Sequence, residues 1–232
     1  MKKERLSIII PAYNEEATIG RIVEKVRKAD LAGLGAEKEI IVVDDGSNDH
    51  TAEIAKKISG IKFYSNKKNL GKGGAVQAGI KNATGGIILI QDADLEYFPD
   101  EIPLLLKPIL DGKASVVYGS RFLGTMRGKQ LLSHTFGNKF LSLMTSVLFL
   151  HRMTDMETAY KMFRKEVLGG VRLRERRFEF EPEITAKILK RGHKILEVPI
   201  TFEARTFEEG KKITVWDGIK SAVALLRYRF FD

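Results

Sequence analysis

Apolar residues in the first half of the chain fall into short unbroken runs separated by stripes of three- and four-residue spacing. Leu6–Pro11, Glu39–Val43, Ile61–Ser65, Gly86–Ile90 and Ser115–Tyr118 read as strands. The unbroken runs, without polar alternation, suit strands buried on both faces. Helices are expected from Glu15 to about Ala29, and over Thr51–Ser59, Gly73–Asn82 and Pro99–Leu110. In the first of these, Ile19, Ile22, Val23 and Val26 share one face, and Asn14 is placed to cap it. This alternation predicts an α/β fold: a mostly parallel sheet with helices on both faces and ligands at the carboxyl ends of the strands.

The second half is less regular. Gln130–Leu150 reads as one long helix with a stripe of Leu132, Phe136, Phe140, Leu143, Val147 and Leu150. Leu141, Met144 and Leu148 make it apolar on a second side, so it fits either a core helix or one half-buried at a bilayer interface. Glu181–Arg191 reads as a helix and Lys194–Thr201 as a strand. In Trp216–Phe231, Trp216, Ile219, Val223, Leu226 and Phe230 line one face, with Arg227 and Arg229 among aromatics. That pattern serves a terminal helix packed on the domain as well as an interfacial anchor. No repeat, low-complexity stretch or linker interrupts the chain, so one domain over residues 1–232 is expected, its halves meeting near residue 120.

Composition narrows the function. The 232 residues include no cysteine, which excludes disulfides, thiolate metal sites and cysteine nucleophiles. No run reaches the roughly 18 apolar residues that a membrane span needs, and the apolar run after Arg5 is too short for a signal peptide. A cytoplasmic protein is expected. Residues 1–120 carry 17 basic and 17 acidic side chains, whereas residues 121–232 carry 22 and 13. The whole excess of +9 thus lies in the second half, which points to an anionic partner there: phosphate, nucleic acid or a membrane surface.

Candidate chemistry sits at the strand ends. Asp92, Asp94 and Glu96 follow the run that ends at Ile90. Three uncompensated acids in a partly dry site favour a bound cation, and oxygen ligands without cysteine or histidine favour Mg²⁺ or Mn²⁺. Strand-end aspartates also close turns and cap helices, and that reading stays open here. Asp44 and Asp45 end another strand ahead of Gly46, where an acid can accept bonds from a ribose or base; Asn48 or Asp49 suits a helix cap. Asn69-Leu-Gly-Lys-Gly-Gly74 is a glycine-rich loop before a helix, and its backbone N–H groups and Lys72 suit phosphate, although it is not a Walker loop.

Taken together, Pro11-Ala-Tyr-Asn-Glu15, Val43-Asp-Asp-Gly-Ser47, Asn69-Leu-Gly-Lys-Gly73, Asp92-Ala-Asp94 and Tyr118-Gly-Ser-Arg-Phe122 stand in the order found in family-2 glycosyltransferases of the GT-A fold. The chain most resembles the branch of dolichyl-phosphate mannose synthase and polyprenyl-phosphate glucosyltransferases. The resemblance implies sugar transfer from a nucleotide-diphosphate donor, a GDP- or UDP-sugar, with inversion at the anomeric carbon. It implies Pro11, Tyr13 and Glu15 in the nucleoside pocket and Asp44 or Asp45 at the base or ribose. Lys72 and Gly73 fall at the donor phosphates. Asp94 is implied as metal ligand, Asp92 is shared between metal and sugar nucleotide, and Glu96 is a further candidate ligand.

In the second half the resemblance implies Arg121 at a phosphate, and Arg205 and Lys211 in a basic loop closing over donor and acceptor. Asp155 falls where many inverting members carry a general base, with Glu157 behind it. A hydroxyl acceptor needs such a base, whereas a polyprenyl phosphate is already anionic, and an acid there then orients a basic group or helps hold the metal. His134, His151 and His193 show no ligand spacing. The preferred acceptor is a polyprenyl phosphate at the cytoplasmic membrane face, reached by the helices at 130–150 and 216–231, with or without a membrane-spanning partner subunit. The alternatives are a hydroxyl acceptor with Asp155 as base, a sugar nucleotidyltransferase, or a non-enzymatic nucleic-acid or membrane-binding module; no nucleic-acid partner is expected of the enzyme.

Overall fold

The isoleucine-rich first run becomes β1 (Glu4–Ala12), one of the inner strands of a seven-stranded sheet in a computed structural model describing residues 3–128, 132–204 and 215–231. The side chains of residues 132–134 and 215 are not among those described. The other strands are β2 (Ala36–Asp44), β3 (Lys62–Ser65), β4 (Ile87–Ile90), β5 (Val116–Arg127), β6 (Lys161–Arg164) and β7 (Leu196–Glu203). Their order across the sheet is β3-β2-β1-β4-β6-β5-β7. β1 pairs in parallel with β2 and β4, β2 with β3, and β5 with β7. The helices are α1 (Ile19–Lys28), α2 (Thr51–Lys57), α3 (Lys72–Asn82), α4 (Ile102–Leu110), α5 (Leu132–Phe149), α6 (Phe180–Lys190) and α7 (Val215–Phe230).

Period-two geometry explains the unbroken apolar runs. Ile8 and Ile10 of β1 pack on one side with Val42, Leu89 and the helices α1 and α4. Ile9 points the other way, with Ile41, Ile88, Ile90 and residues of α3 and α6. Each fully buried isoleucine contributes about 1.5–3 kcal/mol relative to exposure, so a polar residue on either face would be costly. The two-sided parallel sheet expected from the sequence is therefore present.

Two readings need correction, and one left open is decided. The strand β6 was not anticipated, and it runs antiparallel to both β4 and β5. Because of that reversal, the chain arrives at Lys161 from the carboxyl edge of the parallel strands, and residues 154–160 are laid across that edge. Asn14 does not cap α1, which starts at Ile19 after a turn; Asn14 adopts φ 54° and bonds the next loop, donating from its N to Ser47 Oγ and accepting from Asn48 N. The stripes of α5 and α7, which fitted either a core-facing or an interfacial helix, face outward. Phe136, Phe140, Leu143, Val147 and Leu150 are exposed, as are Trp216, Ile219, Val223, Leu226 and Phe230. Their buried faces carry Leu141, Ser142 and Thr145 on α5, and Ser221, Ala224, Leu225 and Tyr228 on α7. Small and hydroxyl residues there allow close helix packing, with Ser142 and Thr145 donating to backbone carbonyls one turn back.

Candidate active site

β1 is flanked by β2 on one side and β4 on the other, and a cleft of about 410 Å³ opens at the carboxyl ends of these strands. Pro11, Tyr13, Glu15, Asp45, Lys72, Asp92, Asp94, Glu96 and Arg121 all line it. Thus nine of the sequence-selected residues, spread over more than a hundred positions, converge on one cavity. Gly73 lies buried just beneath the rim, Asp44 and Asp155 are buried behind the wall, and Arg205 and Lys211 fall outside the described residues, as does the side chain of Leu132.

The two acids after β2 serve the loops around the cleft. Asp44 accepts from Ser65 Oγ (2.9 Å) and Ser47 N (3.3 Å). Asp45 accepts from Asn66 Nδ2 at 2.7 Å and Gly71 N at 2.6 Å, and also from Leu70 N. A carboxylate is thereby the template on which the glycine-rich loop is wound. The cap position of α2 is His50, not Asn48 or Asp49; Asp49, one residue before it, accepts from the N and Oγ1 of Thr51 at the helix start.

That loop is also clamped from outside. Gly71 has φ +88°, and a Cβ on it would fall 2.5 Å from Arg176 O; one on Gly73 would fall 2.6 Å from Glu175 O. Gly74 N donates to Arg176 O, and Gln77 Nε2 donates to Glu175 O. The basic stretch 172–177 therefore lies over the loop and brings Arg177 and Phe178 to the cleft. Glu175 in turn accepts from Tyr228 Oη at 2.7 Å and Arg227 Nη1 at 3.3 Å of α7.

Lys72 leaves this loop to meet acids on two sides. Its Nζ lies 2.9 Å from Asp92 and 2.9 Å from Glu181. Glu181 also takes Lys161 Nζ at 2.5 Å, and Lys161 donates to Met156 O and Thr158 O. Burial alone would lower the pKa of Lys72, but the charges of Asp92 and Glu181 outweigh it and hold the ammonium well above the ordinary lysine value. Burial would likewise raise Glu181, and Lys161 and Lys72 keep it below the usual carboxylate range.

Asp94 and Glu96 show why a sequence alternation does not become a three-acid cluster. The strand ends at Ile90, and Leu95 takes φ 66° in a turn in which Glu96 N donates to Asp94 Oδ1. Among the described residues no three His, Cys, Asp or Glu side chains are grouped to hold a metal. The donor chemistry nevertheless fits a hard cation bound partly by the protein and partly by phosphate oxygens. Seven acids and three bases line the cleft, with no histidine, so a diphosphate entering without a cation would be repelled.

Across the cleft, Asp155 holds Arg121 with both oxygens, accepting from Nε and Nη2 at 2.7 Å each and from Arg121 N at 2.9 Å. Glu197 fixes the segment, accepting from Thr154 N and Asp155 N at 2.8 Å. The guanidinium lies 5.1 Å from the Phe202 ring, which also packs on Tyr97. Burial would lower Arg121, and Asp155 more than restores it, so its charge is permanent. Glu157 also lines the cleft; burial pushes its carboxyl up to about 7, against the pull of Lys161.

Sequence reading missed Glu181, Lys161, Arg177 and Phe178. Only the first two had a signal: a lysine in an apolar strand and an acid in the first turn of an otherwise buried helix.

Comparison with known proteins agrees with this geometry. The family model described as glycosyl transferase family 2 matches residues 7–171. An uncharacterized protein of Methanocaldococcus jannaschii is 30% identical over 100% of this chain and 95% of its own length. The dolichol-phosphate mannosyltransferase of Pyrococcus furiosus is 33% identical over 89% of this chain, which spans 59% of that longer protein. A dolichyl-phosphate beta-glucosyltransferase of Trichomonas vaginalis is 30% identical over 97% of this chain and 73% of its own. The crystal structure of glucosyl-3-phosphoglycerate synthase from Mycobacterium tuberculosis with Mn²⁺, uridine diphosphate and glucosyl-3-phosphoglycerate has a TM-score of 0.74 at 22% identity, over 97% of this chain and 80% of that one. The same synthase with Mg²⁺ and uridine diphosphate gives 0.72 at 20% identity, over 97% and 79%.

Proposed function

The chain belongs to glycosyl transferase family 2 and is a glycosyltransferase of the GT-A fold; from that premise we propose that it moves a hexose from a nucleotide-diphosphate sugar to a polyprenyl phosphate, with inversion at the anomeric carbon and with Mg²⁺ or Mn²⁺. The observation that carries the choice of acceptor is the buried grip of Asp155 on Arg121. An aspartate with both oxygens committed to a guanidinium is not placed to take a proton from a hydroxyl. It is placed to aim a permanent positive charge at an anion. With a phosphate acceptor no proton has to leave: a phosphate oxygen forms the bond to the anomeric carbon, and the bond to the donor diphosphate breaks.

Asp92 and Asp94 would hold the divalent ion, with Glu96 beside them. When bound, that ion supplies Lewis-acid neutralisation of the diphosphate leaving group. Lys72 and Gly73 would face the donor phosphates, while Pro11, Tyr13, Glu15 and Asp45 surround the nucleoside; the N–H groups of Leu70, Gly71 and Gly74, which suited phosphate in the sequence, are taken by Asp45 and Arg176 O instead. Arg205 and Lys211 are proposed as further phosphate contacts.

A groove of about 570 Å³ against α5 is lined by Phe122, the chain neighbour of Arg121, and by Lys139, Leu143, Val147, Leu150 and Arg152. Such a groove would take the apolar chain of a lipid acceptor whose phosphate sits at Arg121. No helix among the described residues is long and apolar enough to cross a membrane. The exposed stripes of α5 and α7, set beside basic side chains, suit reversible contact with the surface of the cytoplasmic membrane, alone or beside a membrane-spanning partner. The relatives named for dolichol-linked reactions support this acceptor class.

A second reading rests on Glu157. Burial in the cleft wall pushes its carboxyl up to about 7, which suits a general base for a hydroxyl acceptor in place of Asp155. Purified protein with Mn²⁺, GDP- and UDP-sugars, and either a polyprenyl phosphate or a panel of hydroxyl acceptors separates the two. Lipid-linked product is expected; product on hydroxyl acceptors alone would move the assignment to the second reading.

A further inference from the structure

Asp92, Lys72, Glu181 and Lys161 form one line of alternating charge. Its members are not equally fixed. Lys161 is fully buried, holds two backbone carbonyls and stays on Glu181 at 2.5 Å. If Lys72 left, Glu181 would still have a partner, so the departure strands no buried charge. The backbone around Lys72 cannot follow, because Gly71 N is bound to Asp45 and Gly74 N to Arg176 O. The side chain is the one part free to swing.

The other end of the line touches the donor site. Lys72 Nζ lies 2.9 Å from each carboxylate oxygen of Asp92. A metal ion arriving at that carboxylate meets an ammonium already in contact with both oxygens, and two cations on one carboxylate repel.

We propose that Lys72 is the resident counter-cation of Asp92, occupying the carboxylate until a nucleotide diphosphate draws the ammonium onto its own oxygens, so that divalent metal and nucleotide enter together. The inference rests on the reading of Asp92 as a metal-binding residue. It makes Lys72 a positioning residue with two stations: the acid pair Asp92 and Glu181, and the donor phosphate once nucleotide is bound. It also keeps the cleft from filling with metal alone.

Binding of Mn²⁺ to the full chain, followed by the paramagnetic resonance of free Mn²⁺ and by calorimetry, tests this without turnover. Wild type should bind Mn²⁺ weakly alone and about tenfold or more tightly with UDP or GDP present. Lys72→Met should tighten binding of Mn²⁺ alone by about tenfold, since a like charge within contact distance is removed, and should shrink the gain from nucleotide. Lys72→Arg, which keeps the charge, should stay as weak as wild type. A folded Lys72→Met that binds Mn²⁺ alone no more tightly than wild type overturns the inference. So does a wild type that binds Mn²⁺ equally well with and without nucleotide, a result that needs no variant. No Mn²⁺ binding by any form under either condition overturns the metal reading itself, and this inference with it.

Discussion

Asp155 and Arg121 are joined by two parallel hydrogen bonds of 2.7 Å, with the carboxylate fully buried and the guanidinium reaching the cleft. The residue that family position marks as a base is thus committed to a guanidinium.

Breaking that pair should cost twice. Asp155→Ala leaves a buried guanidinium without its partner and is expected to lower stability by about 3–5 kcal/mol, read by chemical denaturation. Arg121→Lys keeps the charge but loses the planar fork, and should cut turnover with a phosphate acceptor by about 10²-fold, the scale of losing one preorganised donor. If Arg121→Lys kept wild-type turnover, Arg121 would not be the acceptor contact.

Glu157 gives the fold a pH dependence of defined sign. Its folded pKa is about 7 against an ordinary 4.5, because burial disfavours the charged form. The folded chain therefore holds this proton where the unfolded chain has released it. Its contribution to stability is highest at low pH, declines as pH rises from 4.5 through about 7, and is level above. Glu157→Gln should match wild type near pH 5 and exceed it at pH 8 in urea denaturation, and equal stabilities at pH 8 would contradict the assignment.

Gly73→Ala tests the clamp on the glycine-rich loop. The added Cβ would sit 2.6 Å from Glu175 O and 2.7 Å from Phe180 Cβ, so backbone has to give way. A stability loss of about 1–3 kcal/mol is expected, with weaker UDP or GDP binding in calorimetry. The same change at Gly137, whose Cβ would meet nothing within 4 Å, should be harmless and serves as the control.

The chain has a single tryptophan, Trp216, and it is 71% exposed on the outer face of α7. Its emission should shift to the blue when anionic vesicles are added and return when salt is raised. Ile219→Glu with Leu226→Glu should abolish the shift and leave the melting temperature near that of wild type, since neither side chain packs on the core. An unchanged spectrum with vesicles containing polyprenyl phosphate would remove α7 from the membrane contact.

The parallel strands were legible because an unbroken apolar run such as Ile8-Ile9-Ile10 fits little else. The convergence of Pro11, Asp45, Lys72, Asp92 and Asp94 on one cleft was legible because acids and glycines that follow such strands have few structural duties that demand them in that order. What escaped was set by partners distant in sequence. β6 is four residues long and owes its place to β4 and β5, and the buried Lys161 that heads it makes sense only once Glu181 is opposite. The periodicities of α5 and α7 were read correctly, but the sequence left open which way they face. Periodicity identifies an apolar side without saying what covers it, and here the buried faces mix serine, threonine and alanine with Leu141, Leu225 and Tyr228 while the apolar stripes lie outside. The nucleotidyltransferase and nucleic-acid-module readings fall with the family assignment.

The contact of Glu175 with Tyr228 and Arg227 has a practical side. One face of Glu175 steadies the cover over Gly71–Gly74, and its carboxylate is held from α7, some fifty residues later in the chain. Affinity handles, fluorescent fusions and truncations placed at or after α7 therefore act on the wall of the glycine-rich loop, however far from the cleft they look on a linear map. Kinetic comparisons between such preparations need the handle removed, or moved to the amino end, before a change in apparent donor affinity is ascribed to anything else.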